Sequence, residues 1–295
     1  MTFNAYLQLC KPRIGFVIML TAVTAYLAVA PEVDGASLAI LAVAMLLGSS
    51  SSSVFNHFYD RDIDQMMART RNRPLAAGDM VHPERILWFA VALLVAGVGL
   101  AAAALNFWVA AHLFLGAFVY GIVYTVWLKR RTWWNIVIGG AAGSFAVLAG
   151  AAAADPNIWL LPWLMAIILF LWTPSHFWAL AILLKDDYRA AGIPMLPCLV
   201  GEERCAQGIL LNTILLLGSA FLPVLFGELG LAYAVVTALF SIRFLKQNIM
   251  LARHPGLEWA KRTFLGSMVW LLGVFLAMII DTRVGPMLPD ITFLA

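Results

Sequence analysis

The chain has 295 residues, of which 63% are apolar and only 12% are charged, and its mean hydropathy is +0.89. Average soluble domains are nearer half apolar and a quarter charged, so a soluble enzyme, a disordered chain and a nucleic-acid-binding domain are excluded. The net charge of +3 comes from short basic segments between long neutral stretches. The composition therefore predicts a membrane protein that crosses the bilayer several times.

Nine apolar stretches are long enough to cross a bilayer, for which a helix needs about 20 residues. They do not alternate as the strands of a membrane barrel do. We therefore predict an all-α fold in which nine transmembrane helices form a single bundle around a central cavity, with room for a two-half arrangement. Residues 1–295 are predicted to form one integral-membrane domain. The predicted spans are residues 14–30, 36–55, 86–106, 108–128, 134–154, 158–183, 208–227, 229–247 and 263–281.

The basic residues predict the orientation of the bundle. Every Lys and Arg except Arg283 lies before span 1 or close to a connection that follows an even-numbered span. By the positive-inside rule, the N-terminus and these connections are cytoplasmic and the C-terminus is on the opposite side. The expected location is the bacterial inner membrane or its equivalent. Two of these connections, residues 56–85 and 184–207, are long, which is typical of loops that carry function.

The first long loop opens with a row of oxygen-bearing side chains. Asn56, Asp60 and Asp64 recur every four residues, so they share one side of a helix, whereas Asp62 points to the opposite side. Carboxylates placed this way repel one another, and a divalent cation removes that repulsion. Oxygen ligands of this kind suit magnesium. Although a solvated acidic helix end is the simpler explanation, ionisable groups at the mouth of a membrane bundle are usually functional.

Arginines follow the acidic row directly. Arg69 and Arg73 can bind phosphate oxygens through two parallel hydrogen bonds each. Pro74 disfavours helical geometry at Arg73, so this segment is predicted to fold back over the acidic helix. Cytoplasmic arginines also serve topology, but beside candidate magnesium ligands a diphosphate site is the better interpretation.

The second long loop repeats the combination of acidic and basic residues. Asp186 and Asp187 lie between Lys185 and Arg189. The two acidic clusters are predicted to face each other across a cavity and to hold one or two metal ions against a diphosphate. Neither loop contains a Gly-rich run ending in Gly-Lys-Ser/Thr, so nucleotide hydrolysis is not indicated.

These motifs resemble those of the UbiA-type intramembrane prenyltransferases, and the likeness covers nearly the whole chain. The acidic row and the arginines are shared across that family. The strings Thr-Pro-Ser-His-Phe-Trp at 173–178 and Gly-Ile-Pro-Met-Leu-Pro at 192–197 are similar to the branch of the family that farnesylates haem. The second acidic motif departs from the family's Asp-x3-Asp spacing, so the ligand is either Asp186 or Asp187. We prefer Asp187, which precedes a tyrosine.

The resemblance implies that farnesyl diphosphate, protohaem IX (haem B) and water give haem O and diphosphate, with magnesium as the cofactor. The residues that it implies for metal binding and catalysis are Asp60, Asp64 and Asp187. The residues that it implies for substrate binding are Asn56, Arg69, Arg73, Lys129, Asp186 and His176. Lys129 fits a diphosphate clamp at the end of span 4, or a membrane-interface anchor. The expected partners are the lipid bilayer and downstream haem-modifying or oxidase-assembly proteins, with no nucleic acid.

His176 has three interpretations. It lies inside span 6 after Pro174, which is predicted to open the helix. The three interpretations are that it ligates haem iron, acts as a base toward water, or bonds a freed carbonyl. His57 is a second candidate for the haem ligand.

Two other functions compete with haem farnesylation. One is prenylation of an aromatic acceptor in quinone or chlorophyll synthesis, and the other is secondary transport. The acidic residues cluster at one membrane face, whereas transporters bind their substrates near the midplane.

Overall fold

The computed structural model describes residues 3–78 and 82–284, and every regular element in these ranges is helical. Nine helical segments of the described chain are long and apolar enough to cross a membrane, which confirms the predicted fold class and number of spans. In chain order the α-helices are α1 (Phe3–Cys10), α2 (Pro12–Val29), α3 (Gly35–Tyr59), α4 (Arg61–Met66), α5 (Pro83–Ala104), α6 (Phe107–Phe118), α7 (Asn135–Gly139), α8 (Ala141–Ala154), α9 (Leu160–Leu183), α10 (Lys185–Ala190), α11 (Leu196–Ser219), α12 (Leu222–Leu225), α13 (Leu231–Arg253) and α14 (Leu257–Val284).

Several helices extend beyond the predicted spans because their ends are polar and the prediction followed only apolar runs. Helix α3 continues to Tyr59, and α13 continues to Arg253. The largest difference is in the second long loop, where α11 already begins at Leu196. Gly201 interrupts it with φ of 82°, a left-handed conformation that glycine adopts readily. Most of residues 184–207 is therefore helical.

Small residues bring the helices of the first half close together. A Cβ atom on Gly150 of α8 would lie 1.9 Å from the carbonyl oxygen of Ala22 on α2, so only glycine fits there. A Cβ atom on Gly97 of α5 would lie 3.1 Å from the carbonyl oxygen of Ala44 on α3, which is also a tight contact. Helices α13 and α14 form a second tightly packed pair, and α14 also contacts both α9 and α2. The last helix thus packs against the first spanning helix, so the helices form a closed bundle. Small residues at helix contacts allow such close packing in membranes.

The outer surface of the bundle is apolar, as a lipid-facing surface must be. Large side chains such as Trp88, Leu239 and Ile242 are more than 60% exposed. These exposed apolar side chains lie on the spanning helices of the described chain, where they would contact lipid. The protein is therefore an integral membrane protein.

A partly open cavity of about 90 Å³ lies between α2, α3, α6 and α8. On α3 its lining runs from Met45 to Ser53, which is one helical turn before Asn56. A rise of 1.5 Å per residue gives this stretch a length of about 12 Å. The cavity is therefore a mostly apolar space that starts beside the acidic row and runs along α3. The other lining residues are Ile14, Ile18, Gly48, Ser49, Ser52, His112, Leu113, Gly116, Ala117, Tyr120, Ala142 and Ala146.

Candidate active site

The acidic row forms where α3 passes into α4, at what we call the polar end of the bundle. Helix α3 stops at Tyr59, but Asp60 N donates to Asn56 O and Asp64 N donates to Asp60 O, so the helical path continues. Asn56, Asp60 and Asp64 are each at most 4% exposed, whereas the side chain of Asp62 is 62% exposed. The predicted four-residue periodicity is therefore present.

A basic group binds each buried carboxylate. Lys129 Nζ donates to Asp60 Oδ2 over 2.5 Å, and Asn56 Nδ2 donates to the same oxygen over 2.6 Å. Arg73 Nη1 donates to Asp64 Oδ2 over 2.7 Å. A buried carboxylate is tolerated only when it is paired in this way, so these cations are part of what holds the site together.

The second oxygen of each carboxylate has weaker contacts or none among the described residues. Asp64 Oδ1 is buried and has no hydrogen-bond partner in the described chain. Asp60 Oδ1 has a single long contact, 3.4 Å to Arg130 Nη2. Because hard oxygen donors suit magnesium, Asp60 and Asp64 with the nearby Asn56 fit a divalent cation at this end of the bundle.

Lys129 reaches Asp60 because the helix changes type. After α6 the span continues as a π-helix over Val119–Leu128, so that Lys129 N donates to Tyr124 O, five residues back. Thr125 in this segment lies 3.3 Å from Asn56 Nδ2. Such wide turns are rare and are often found at functional sites. The apolar sequence of this span gave no signal that predicts a π-helix.

The arginine segment folds back over the acidic helix, as Pro74 predicted. Thr70 Oγ1 donates to Asp64 O over 2.8 Å, and Arg73 N donates to Thr70 O over 3.0 Å. This turn carries Arg73 to its partner Asp64. The side chain of Arg69 is exposed.

The two long loops meet through Asp187. Its two carboxylate oxygens accept hydrogen bonds from the backbone amides of Ala68 at 2.9 Å and Arg69 at 3.3 Å. The side chain of Asp186 is 99% exposed and lies 3.8 Å from Arg189. Asp187 thus holds the start of the arginine turn.

Asp187 is not gathered into one metal-binding group with Asp60 and Asp64. Residues 3–78 and 82–284 contain no group of three or more His, Cys, Asp or Glu side chains placed to hold a metal ion. The structure therefore brings together Asn56, Asp60, Asp64, Arg73 and Lys129, and it connects Asp187 to them through the backbone of the first loop.

His176 lies in a tight aromatic contact inside α9. Its Nδ1 is 2.7 Å from Ser267 Oγ, and its ring stacks on Trp172 and Phe264 at centroid distances of 4.2 and 4.6 Å. It does not line the described cavity.

The prediction that Pro174 opens the helix around His176 is wrong, because α9 is continuous from Leu160 to Leu183. Side chains stabilise the turn before the proline: Asn212 Nδ2 donates to Leu171 O, and Thr173 Oγ1 donates to Leu169 O.

Two basic residues that the sequence assigned only to topology belong to the site. Lys11 Nζ donates to Asn56 Oδ1 over 2.8 Å. Burial, and next the charges of Arg73 and Lys129, lower the pKa of Lys11 to about 7. Arg130 donates to both oxygens of Asp62 over 2.7 Å, and this pairing lowers the pKa of Asp62 below its usual value. Lys11 and Arg130 are far from the acidic row in sequence, so no local pattern predicts either contact.

Unpartnered polar atoms concentrate around this site. In the described chain, ten buried side-chain nitrogen and oxygen atoms have no hydrogen-bond partner, and half of them belong to His57, Asp64, Arg130 and Asn135. Each such atom costs about 1–3 kcal/mol, so a protein concentrates them where a ligand binds.

Comparison with known proteins agrees with this geometry. A model of the UbiA prenyltransferase family matches residues 17–279. Protoheme IX farnesyltransferase 1 of Paramagnetospirillum magneticum is 56% identical over 281 residues, which cover 95% of this chain and 99% of that protein. Protoheme IX farnesyltransferase of Synechocystis sp. is 39% identical over 95% of this chain and 89% of its own length.

Solved structures share the fold. A structure of digeranylgeranylglyceryl phosphate synthase superposes with a TM-score of 0.79 at 18% identity, covering 95% of this chain and 98% of that one. A UbiA homologue from Archaeoglobus fulgidus bound to GPP and Mg2+ superposes with a TM-score of 0.68 at 16% identity, covering 93% and 99%.

Proposed function

The chain belongs to the UbiA prenyltransferase family, and on that basis we propose that it farnesylates protohaem IX. The reaction transfers the farnesyl group of farnesyl diphosphate to a vinyl group of haem B and adds water, giving haem O and diphosphate. The observation that carries this proposal is the buried row of Asn56, Asp60 and Asp64 beside an apolar cavity, in which Asp64 Oδ1 has no partner among the described residues and Asp60 Oδ1 has a single long contact.

The proposed magnesium site uses Asp60 and Asp64, with Asn56 ligating or orienting. When bound there, magnesium would supply positive charge that offsets the negative charge of the leaving diphosphate. The A. fulgidus homologue bound to GPP and Mg2+ supports this assignment, as does the unpartnered Oδ1 of Asp64. Asp187 serves the same site by holding the arginine turn, and Asp186 is the exposed member of the pair.

The chain's own cations stabilise the leaving group. Lys129 and Arg73 lie within 2.7 Å of the carboxylates, so they border the space that a diphosphate enters. Charge grows on the diphosphate as its bond to the farnesyl group breaks, and fixed cations away from water stabilise that charge strongly. Arg69, at the exposed start of the turn, is the proposed outer member of the clamp.

The cavity along α3 is the proposed site of the farnesyl chain. It begins one helical turn from Asn56, and its lining is almost entirely apolar or small. The haem vinyl group forms the new carbon–carbon bond at the allylic carbon, water then adds to the resulting carbocation, and a proton is released. His176 is the proposed haem contact, and His57, which is buried with both ring nitrogens unpartnered, is the alternative.

The competing functions are not favoured. The relatives compared above are protoheme IX farnesyltransferases rather than quinone or chlorophyll prenyltransferases. We further propose that the protein lies in a bacterial inner membrane with its N-terminus, loop 56–85 and loop 184–207 in the cytoplasm. Haem O then passes to downstream haem-modifying or oxidase-assembly proteins.

The test is the pigment content of cells. Membranes that contain the chain should convert haem B and farnesyl diphosphate to haem O, which mass spectrometry separates by its added mass. Asp64→Asn removes one carboxylate charge without changing shape, so we expect at least a roughly 10²-fold loss of activity. Asp62→Asn is the matched control, because Asp62 is exposed, and it should stay within a few-fold of wild type. Full activity of Asp64→Asn, or activity in chelator, contradicts the metal assignment.

A further inference from the structure

The hydrogen bonds around His176 fix where the proton of its ring lies. His176 Nδ1 is 2.7 Å from Ser267 Oγ, and the same Oγ is 2.7 Å from the backbone oxygen of Phe264. Two oxygens at that distance need a proton between them, and a carbonyl oxygen has none to give. The single hydroxyl proton of Ser267 therefore lies on the bond to Phe264 O. Ser267 Oγ can then only accept from His176, so Nδ1 carries the ring proton.

The opposite nitrogen of the ring keeps its lone pair. His176 is buried, and no charged group of the described chain faces it, so the ring is neutral and Nε2 carries no proton. Nε2 has no hydrogen bond to the described residues, and it is not among their ten enclosed polar atoms without a partner. It therefore lies on the accessible part of a residue that is 8% exposed.

Aromatic side chains hold the plane of the ring. Trp172 and Phe264 stack on it with interplanar angles of 19° and 30°. Trp172 also donates its Nε1 to Ser267 O over 2.8 Å, which ties α14 to α9 beside the ring. A ring held only by stacking is still free to turn over about its Cβ–Cγ bond. The hydrogen bond to Ser267 selects one of the two orientations.

This arrangement is the one that a metal-binding histidine needs. Such a histidine almost always donates its other ring N–H to a fixed acceptor, which sets the tautomer and the direction of the ring. His176 has that acceptor before any ligand arrives. His57 lacks one, because both of its ring nitrogens are enclosed and have no partner in the described chain. Of the two candidate haem contacts, only His176 is therefore oriented in advance.

We propose that Ser267 is a positioning residue for the acceptor substrate: it accepts the Nδ1 proton of His176 and so keeps Nε2 free to ligate the iron of protohaem IX. This inference rests on the proposed function and deepens it, because it assigns the nitrogen that binds and the residue that prepares it. Ser267 itself does not touch the haem. Without its hydroxyl group the Nδ1–H would be buried without an acceptor, so the proton would move to Nε2 and block the iron.

Three substitutions separate this role from packing. Ser267→Ala removes the acceptor, and Ser267→Thr keeps a hydroxyl group at the same position. Ser241→Ala is the matched control, because Ser241 is a buried serine on α13 that accepts a ring N–H from Trp270 over 3.0 Å. The control therefore loses the same kind of hydrogen bond in the neighbouring helix, but not the one to His176.

The measurement is titration of the purified full chain with ferric haem B, without farnesyl diphosphate, followed by absorption spectroscopy. Wild type should give a histidine-ligated spectrum that His176→Ala loses. We expect Ser267→Ala to weaken haem binding by about 10- to 100-fold, the usual effect of removing the partner of a metal-binding histidine. Ser267→Thr and Ser241→Ala should keep the wild-type spectrum and affinity, although Ser241→Ala should lower the Tm about as much as Ser267→Ala. If the alanine variant does not fold, Ser267→Cys takes its place, since a thiol is a weak acceptor.

The outcomes distinguish this inference from the proposed function. If wild type makes haem O but Ser267→Ala keeps its spectrum and binds haem within about twofold of wild type, the role of Ser267 is wrong and the function stands. The role is also wrong if Ser241→Ala weakens haem binding as much as Ser267→Ala does, because the effect is then one of packing. If the spectrum depends on His176 and Ser267 as expected but no haem O forms, the proposed reaction is wrong and the haem site stands.

Discussion

Each buried carboxylate at the polar end has two unequal oxygens, and this inequality is central to the chemistry. On Asp64, Oδ2 binds Arg73 and Oδ1 has no partner among the described residues. Removing one member of a buried ion pair costs about 3–5 kcal/mol, so the cations keep these carboxylates in place between turnovers. A ligand that arrives can therefore use Asp64 Oδ1 without first breaking the pair with Arg73.

Asp187 accepts hydrogen bonds from the backbone of the first loop, whereas its neighbour Asp186 is exposed. Substitution of Asp187 should therefore lower activity, and substitution of Asp186 should not. Asp187→Asn replaces one acceptor oxygen with an NH2 group that opposes a backbone amide of Ala68 or Arg69. Losing a charged hydrogen bond of about 1.5–3 kcal/mol should lower activity roughly tenfold or more. It should also loosen the turn, so trypsin should cleave faster after Arg69.

Asp186→Asn is the control for that prediction, because the side chain of Asp186 is 99% exposed. Activity within twofold of wild type and unchanged proteolysis are expected. If instead Asp186→Asn inactivates and Asp187→Asn does not, Asp186 is the functional acid and the contact with the first loop is only structural.

At the scale of elements, the π-helix sets the position of Lys129. An α-helix through the same residues would turn about 100° per residue and place Lys129 elsewhere on the surface of the span. The wide turns instead direct Thr125 toward Asn56 and Lys129 toward Asp60. Asn135 supports this arrangement by donating its Nδ2 to Lys129 O over 3.1 Å.

Deleting Ile122 tests the π-helix directly. One residue fewer lets the segment return to α-helical bonding, which rotates the following residues by about 100° and takes Lys129 away from Asp60. We expect an inserted, helical protein by circular dichroism whose activity falls by at least about 10²-fold.

Deletion of Asn157, in the short connection before α9, controls for the general cost of losing a residue. It should retain most of the activity. Wild-type activity after deletion of Ile122 would show that the position of Lys129 does not depend on the π-helix.

The sequence predicted the elements better than the contacts between them. Apolar runs of about 20 residues are sufficient to locate spans, and the four-residue spacing of Asp60 and Asp64 is a local property of one helix. The contact of Lys11 with Asn56 joins residues 45 apart, and that of Lys129 with Asp60 joins residues 69 apart. No local pattern encodes such pairs, and the π-helix that makes one of them has no signature in an apolar span.

At the scale of the whole molecule, the site and the cavity form one continuous arrangement. Charged groups gather at the polar end, while α2, α3, α6 and α8 enclose the apolar space below it. A diphosphate with a prenyl chain has the same division, with a charged head and an apolar tail. The order of polar and apolar residues along α3, from Met45 to Asp60, therefore matches the substrate from tail to head.

The length of the cavity predicts the length of the prenyl chain. A fully extended farnesyl group spans about 14 Å and a geranyl group about 9 Å, given single bonds of about 1.5 Å. Ser49 lies seven residues before Asn56, about 10 Å along α3. Ser49→Phe should therefore fill the far part of the cavity, leaving room for geranyl diphosphate but not for farnesyl diphosphate.

We expect Ser49→Phe to lower the kcat/KM for farnesyl diphosphate by about tenfold or more, the effect of 1.4 kcal/mol or more, while geranyl transfer changes little. The readout is competition between the two diphosphates for haem B, with products separated by mass. Val43→Phe is the matched control, since Val43 lies on the same helix and is 49% exposed. An unchanged preference in Ser49→Phe would place the prenyl chain outside this cavity. Equal losses for both substrates would mean that the new ring disturbs the polar end, because a chain-length effect must discriminate between them.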